Sequence, residues 1–248
     1  MNIIFPNIRG EKLAGILNMP KKQKGAVMLI HGFCADKETN FFPKLAQKLF
    51  EQNYAVLRFD LSGYGKSEGK FENTTYQKHY QDTEAALTVL RLKAPYPVHV
   101  IGHSMGAAMG LRLARNHSIA SLVMIGPPFV AKSHSMAKKA EAALKGSYVE
   151  FTDFFGNKRK LKNDFFLSTF DWDMSDDAKY CTTPTCTIIG LEDKAVSVSA
   201  ALLATKAMKC EHKFVGIKKA DHYFAKPQDE KKLIDEVSKW LNGHNVNI

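Results

Sequence analysis

The 248-residue chain is poor in several features that would mark other protein classes. It has only four cysteines: Cys34, Cys181, Cys186 and Cys210. None forms a pair with metal-ligand spacing, and Cys181 and Cys186 are five apart around Pro184, so neither a zinc site nor a disulfide framework is indicated. Free thiols suit a reducing compartment, and the expected location is cytoplasmic. No apolar run is long enough to span a bilayer, which argues against stable membrane insertion. The first ten residues, MNIIFPNIRG, lack the charged region and long apolar run of a secretory signal. Internal repeats and low-complexity tracts are also missing.

Acidic residues are in deficit. Lys and Arg number 35 against 25 Asp and Glu, a formal charge of +10. The lysines are scattered, apart from Lys158-Arg159-Lys160 with Lys162 and a few short pairs. No nucleic-acid motif accompanies them, so the basic balance reads as a solvated surface and no nucleic-acid partner is expected.

What is present is an alternation of strands and helices. Residues 2–5 and 13–18 read as an edge hairpin. The apolar run Ala26 to Ile30 has the character of a strand buried on both faces. An amphipathic helix over 41–53, a strand over 54–59 and a helix over 75–93 follow. Strand 98–102, helix 104–115 and strand 121–125 continue the pattern. After residue 183 it resumes with a strand from 185, a helix over 197–208, a strand over 211–217 and a helix over 228–241. Such alternation implies a parallel sheet covered by helices on both faces. Ligands in these sheets sit at the C-terminal ends of the strands.

Residues 127–182 interrupt the alternation. They carry ten of the chain's aromatic residues, including Phe129, Phe151, Phe165 and Trp172. They read as a cap inserted between core strands of one 248-residue domain, with Phe129 and Trp172 as candidate substrate-binding residues.

The chemistry concentrates at Val98-His99-Val100-Ile101-Gly102-His103-Ser104-Met105-Gly106, an apolar strand running into Gly-x-Ser-x-Gly and then a small-residue helix. That is the sequence of a nucleophile elbow, in which a sharp strand-to-helix turn exposes the serine hydroxyl. A serine hydroxyl needs a positioned base. Of nine histidines, His222 lies on a loop between a strand and the last helix, at the expected sheet edge. His79, His117, His134, His212 and His244 have unremarkable contexts, His99 lies within a strand, and His103 flanks the serine pointing away. Asp193, after strand 185–189, is the candidate acid that orients His222, with Glu192 and Asp221 as neighbouring rivals. The backbone N–H groups of Met105 and Phe33 are candidate oxyanion donors. Gly32 lets the chain turn inward there, and His31, counted with Gly32 on the substrate side of the turn, reads as structural. No metal or cofactor is expected.

These residues together resemble the α/β-hydrolase superfamily. The resemblance rests on His31-Gly32-Phe33, Asp60-x-x-Gly63-x-Gly65-x-Ser67-x-Gly69, Gly102-His103-Ser104-Met105-Gly106, Gly190-x-x-Asp193 and Asp221-His222, and it spans nearly the whole chain. The His-Gly-Phe turn, the Ser-Met-Gly-Ala elbow and the compact insert are similar to the cinnamoyl/feruloyl esterase-like carboxylesterases. The chain departs from the His-Gly-Gly-Gly group, since Phe33 follows Gly32, and Ser197, not proline, follows Val196. The resemblance implies an α/β-hydrolase fold with a mostly parallel eight-stranded sheet. It also implies a serine carboxylesterase acting on a small-molecule ester, in some relatives one with an aromatic acyl part. Monoacylglycerol lipase, thioesterase, serine peptidase and a slow-turnover ligand sensor remain open on the same triad. The oligomeric state is left as monomer or homodimer.

Overall fold

The computed structural model describes residues 1–129 and 147–244. The part of the expected cap over 130–146, His134 included, lies outside the described residues.

Eight strands form one sheet. In chain order they are β1 (Asn2–Pro6), β2 (Lys12–Asn18), β3 (Gly25–Ile30), β4 (Tyr54–Phe59), β5 (Val98–His103), β6 (Ser121–Ile125), β9 (Thr185–Gly190) and β10 (His212–Ile217). Their spatial order is β1-β2-β4-β3-β5-β6-β9-β10. From β4 to β10 all pairings are parallel, and β2 runs antiparallel to both β1 and β4. The sheet is therefore mostly parallel and eight-stranded, as the alternation of elements implies. Every residue of β3, β5, β6 and β9 is buried, which explains their unbroken apolar runs: helices cover both faces.

On one face lie α1 (Phe42–Glu51) and the last helix, α7 (Pro227–Gly243). Phe42, Leu45 and Leu49 of α1 meet Leu233, Val237 and Leu241 of α7 in one apolar cluster. On the other face lie α2 (Tyr76–Lys93) and α3 (Met105–Asn116), whose Tyr80, Leu87, Leu90, Met109 and Leu111 belong to a second cluster. Helix α6 (Val198–Ala207) joins β9 to β10 and buries Ala201 and Thr205.

Between β6 and β9 the described residues hold a small antiparallel hairpin, β7 (Tyr148–Thr152) and β8 (Lys158–Lys162), then helices α4 (Asn163–Phe170) and α5 (Met174–Tyr180). Sequence pattern alone reads this region as irregular and aromatic. The hairpin escapes it because β8, Lys-Arg-Lys-Leu-Lys, has one buried residue and no β-branched one.

Two buried charges fasten this segment and the loop after β3. Lys37 Nζ lies 2.6 Å from Asp60 Oδ2, and the Lys37 and Lys66 N–H groups donate to the same carboxylate at 2.8 Å. Asp60 thus turns the Gly-rich loop after β4 into an anchor for residues 33–40, beyond the tight turn its sequence indicates. On α5, Asp177 receives Arg112 at 2.6 Å and Arg115 at 2.9 Å, tying the insert to α3.

Candidate active site

Ser104 sits at the end of β5 with φ 54° and ψ −118°, a region that side chains other than glycine rarely occupy. The surroundings impose this conformation. The Ser104 N–H donates to the Ile125 carbonyl at 2.8 Å, while its own carbonyl accepts from Ala107 N at 2.9 Å. One bond holds it to β6 and the other starts α3. A side chain at Gly102 would collide with the Gly106 carbonyl, and one at Gly106 with the Ile30 carbonyl. The two glycines therefore permit the close strand–helix approach that throws the serine outward. Met105 opens α3, where its N–H has no intrahelical acceptor and faces the same side as the helix dipole's positive end.

His222 lies on the loop after β10 and is almost wholly buried. Its Nδ1–H donates to Asp193 Oδ2 at 2.6 Å, and the Asp193 side chain is fully buried. The other Asp193 oxygen accepts from Ala195 N at 2.8 Å and Val196 N at 3.0 Å, which fixes the carboxylate in place. The rival acid is occupied elsewhere. Asp221 Oδ1 accepts from Tyr223 N at 3.0 Å and Ala225 N at 3.3 Å, so it shapes the turn that carries His222. Glu192 is exposed, and its contribution here is a backbone N–H to Ala220 O at 3.0 Å.

Two residues that the sequence reading passes over turn out to support this pair. Gly126, at φ 54°, ends β6 directly under the imidazole: a methyl group there would stand 3.0 Å from both Cε1 and Nδ1 of His222. Its sequence signal, a glycine closing an apolar strand before Pro127-Pro128, is visible but not distinctive. His103 is the second. Its Nε2–H donates to the His222 carbonyl at 2.9 Å, and the two rings are 4.8 Å apart. Burial and the neighbouring His222 push the His103 pKa down to about 3, so this ring is a neutral prop.

The turn after β3 brings His31, Gly32 and Phe33 beside the elbow. A methyl group on Gly32 would stand 3.2 Å from both Ser104 Cβ and the His103 carbonyl oxygen, so glycine allows the chain to pass close here without displacing them. His31 Nδ1–H donates to Gly32 O at 2.8 Å and its Nε2 accepts from Leu61 N at 3.1 Å. Burial lowers its pKa, and both nitrogens are committed to backbone. It ties the β3 and β4 loops together. Cys34 follows with φ 59°, a strained position in the same turn.

Around Phe33 lies an aromatic wall. Its ring stacks on Phe165 at 5.0 Å and on Phe151 at 5.7 Å, and meets Phe71 at 5.9 Å. Two of these partners, Phe151 and Phe165, come from the insert. Phe129 is half-buried on the same apolar cluster. Trp172 belongs to that cluster as well. It packs edge-on to Tyr76 and Tyr80 at 5.6 Å, under the Arg112 guanidinium at 3.9 Å. Ring contacts through Tyr76 and Phe165 link it to Phe33. The insert's hairpin tip instead reaches the histidine loop, with Phe154 stacked on Tyr223 at 3.9 Å.

Among the described residues no group of His, Cys, Asp and Glu is arranged to hold a metal ion. None of the helices described is long and apolar enough to cross a membrane.

A strained serine elbow, a buried His–Asp pair and this sheet order define an α/β-hydrolase. Residues 21–166, more than half the chain, match the serine aminopeptidase, S33, family, and the protein belongs to that family. The probable lysophospholipase BODYGUARD 1 of Arabidopsis thaliana is 32% identical over 115 residues, which cover 44% of this chain and 24% of that protein. The probable lysophospholipase BODYGUARD 2 is 30% identical over 116 residues, with the same coverage. The chain thus spans about a quarter of the length of these relatives. Among solved structures, Est1E from Butyrivibrio proteoclasticus with ferulic acid bound superposes with a TM-score of 0.81, at 24% identity over 98% of both chains. The Paleococcus ferrophilus monoacylglycerol lipase gives 0.78 at 18% identity, covering 94% of this chain and 99% of that one. At these identities the two structures speak for the fold.

Proposed function

We propose that the protein is a serine carboxylesterase that uses Ser104, His222 and Asp193. The observation carrying this reading is the buried His222–Asp193 bond of 2.6 Å at the same sheet edge as the strained Ser104. Ser104 Oγ attacks the ester carbonyl while His222 Nε2 takes its proton. The Met105 and Phe33 N–H groups hold the tetrahedral oxyanion. Collapse expels the alcohol, which leaves with the proton from His222. Water, deprotonated by the same imidazole, then releases the acid from the acyl-enzyme.

The ring wall of Phe33, Phe71, Phe151 and Phe165 supports an apolar, flat acyl group. The described residues of the insert, 127–129 and 147–182, act as a cap over the site, since Phe151 and Phe165 complete that wall. Phe129 belongs to the same cap, and Trp172 serves it as a prop against α2. A lipid ester with a single long acyl chain is the second reading. It is favoured by Phe154 and Phe155, which the hairpin tip leaves 68% and 46% exposed.

The test is turnover on a panel of water-soluble, feruloyl and lysophospholipid esters, run beside a fluorophosphonate probe. Labelling is expected at Ser104 alone. Ser104→Ala should cost on the order of 10⁶ in kcat with the fold intact by circular dichroism. Labelling at another residue, or hydrolysis undiminished in the alanine variant, would sink the assignment. The highest kcat/KM on feruloyl or on lysophospholipid esters decides between the two readings.

A further inference from the structure

The basic stretch at 158–162 plays no part in the chemistry above, yet the fold gives it a definite geometry. In β8 the side chains alternate. Leu161 is buried, Arg159 turns inward to Asp153 at 2.8 Å, and Lys158, Lys160 and Lys162 share the opposite face. Across the hairpin these lysines pair with Thr152, Glu150 and Tyr148. Lys160 Nζ stands 4.1 Å over the Tyr148 ring. The outward face therefore presents three cations and a partly exposed tyrosine against one acid, Glu150.

The tip of the same hairpin is apolar. Turns are usually built from Gly, Pro, Asn, Asp and Ser, because these residues satisfy the bend or tolerate water. Here Asp153 builds the bend, accepting from Phe155 N at 2.9 Å and Asn157 N at 2.8 Å, and Gly156 takes φ 83°. The two positions displayed by that bend are Phe154 and Phe155, 68% and 46% exposed. A single exposed aromatic is ordinary, but two adjacent rings on a braced tip, beside a row of lysines, form an amphipathic wedge. The inner side of Phe154 stacks on Tyr223, so the wedge stands next to the loop that carries His222.

We propose that hairpin 148–162 is a docking element for an anionic lipid surface. Phe154 and Phe155 enter the headgroup–acyl boundary, and Lys158, Lys160 and Lys162 rest on the acidic headgroups. Charge complementarity selects the occupant. Apolar rings alone would suit any greasy partner, whereas rings with flanking cations suit a negatively charged interface. The chain's formal charge of +10 steers it toward such a surface. Docking is peripheral and reversible, and it sets the histidine loop against the layer in which amphiphilic molecules are dissolved.

The experiment uses the full chain carrying Ser104→Ala, so that binding is read without hydrolysis and stands apart from the reading of the catalytic site. Sedimentation with phosphatidylcholine vesicles, with and without phosphatidylglycerol, measures partitioning at low and high salt. Binding is expected only with phosphatidylglycerol and should fall as salt rises. A lysine close to such a surface contributes about fivefold to partitioning, so Lys158→Gln/Lys160→Gln/Lys162→Gln should lose on the order of a hundredfold. These residues are at the surface, and hydrolysis of p-nitrophenyl acetate by the same triple variant on the active chain should be unchanged. Phe154→Ser/Phe155→Ser should weaken vesicle binding while leaving retention on a polyglutamate column intact. The proposal is overturned if the protein ignores both vesicle types, or if the lysine variant binds as well as the parent. It is equally overturned if the phenylalanine variant keeps full vesicle binding, which would mark a purely electrostatic site for an acidic macromolecule.

Discussion

The elbow region and the insert are both rich in unusual local structure, but they reach it by opposite means. At the sheet edge, backbone does the positioning. Ser104, Gly126 and Cys34 all have positive φ, and their neighbours are held by main-chain bonds such as Ser104 N to Ile125 O at 2.8 Å. Buried polar groups there are tied down one by one: both nitrogens of His31, the Asp193 carboxylate, the Asp60–Lys37 pair. In the insert, side chains do the positioning. Ring contacts join Phe151, Phe165 and Trp172 to the core, and ion pairs from Asp176 and Asp177 run to Arg112 and Arg115 of α3. Backbone constraint fixes a reacting atom to within a fraction of an ångström, while ring packing fixes a shape. On the proposed reading, chemistry belongs to the first region and selectivity to the second.

Changing one atom at the sheet edge tests that division most severely. Asp193→Asn keeps an acceptor for Ala195 and Val196 but turns an amide toward His222 Nδ1, favouring the wrong tautomer. The expected loss is about 10⁴ in kcat, whereas Asp221→Asn should stay within about tenfold of the parent because Asp221 only shapes the turn. Comparable kcat values for the two purified variants would remove the distinction between them.

Acid probes the buried histidines through stability. Burial holds the pKa of His103 and of His79 at about 3, and that of His99 at about 4. All three lie below the ordinary value of 6.5, so the unfolded chain binds these protons first. Their contribution is complete above pH 6.5 and is lost as pH falls toward the folded values, by up to about 1.4 kcal/mol per pH unit for each ring. Urea midpoints measured from pH 7 to pH 4 should therefore drop steeply, and His103→Gln should flatten the slope by about one proton. An unchanged slope in that variant would mean the ring is already charged in the fold.

Gly126→Ala is the next smaller change. The methyl group would press on the His222 ring and strain a positive φ, so kcat should fall about a hundredfold through displacement of the base. Full activity would show that the loop at 221–224 yields without consequence.

The mildest effect belongs to the insert. Phe151→Ala opens the wall beside Phe33 without touching the serine, and the expected outcome is roughly a tenfold shift in relative kcat/KM between feruloyl and acetyl esters. Parallel losses on both substrates would place Phe151 among the residues that hold the chemistry and so erase the contrast between the two regions.

The sequence by itself determined the order of the strands and helices of the main sheet and its parallel character, and it marked the three residues proposed for the triad, for physical reasons. Fully buried strands must be unbroken apolar runs, and an elbow must place glycines two residues either side of its serine. Such requirements are local and leave a mark on the chain. It also marked Phe33 and Met105, because an oxyanion donor must follow the turn and the nucleophile directly. Tertiary structure alone decided what depends on two distant segments meeting. Asp221 is adjacent to His222 in sequence and Asp193 lies 29 residues before it; the approach of the loop after β9 puts the Asp193 carboxylate on His222 Nδ1, while Asp221 bonds the turn itself. His103, unremarkable as a residue beside the serine, becomes a prop because the His222 carbonyl lands on its ring nitrogen. Trp172, a candidate for the substrate wall, packs under Arg112, where α5 docks on α3 through Asp177. The lysines at 158–162 stand out in sequence only as a short basic run. Strand pairing with β7 put three of them on one face, because alternation in a hairpin is set by register and not by composition.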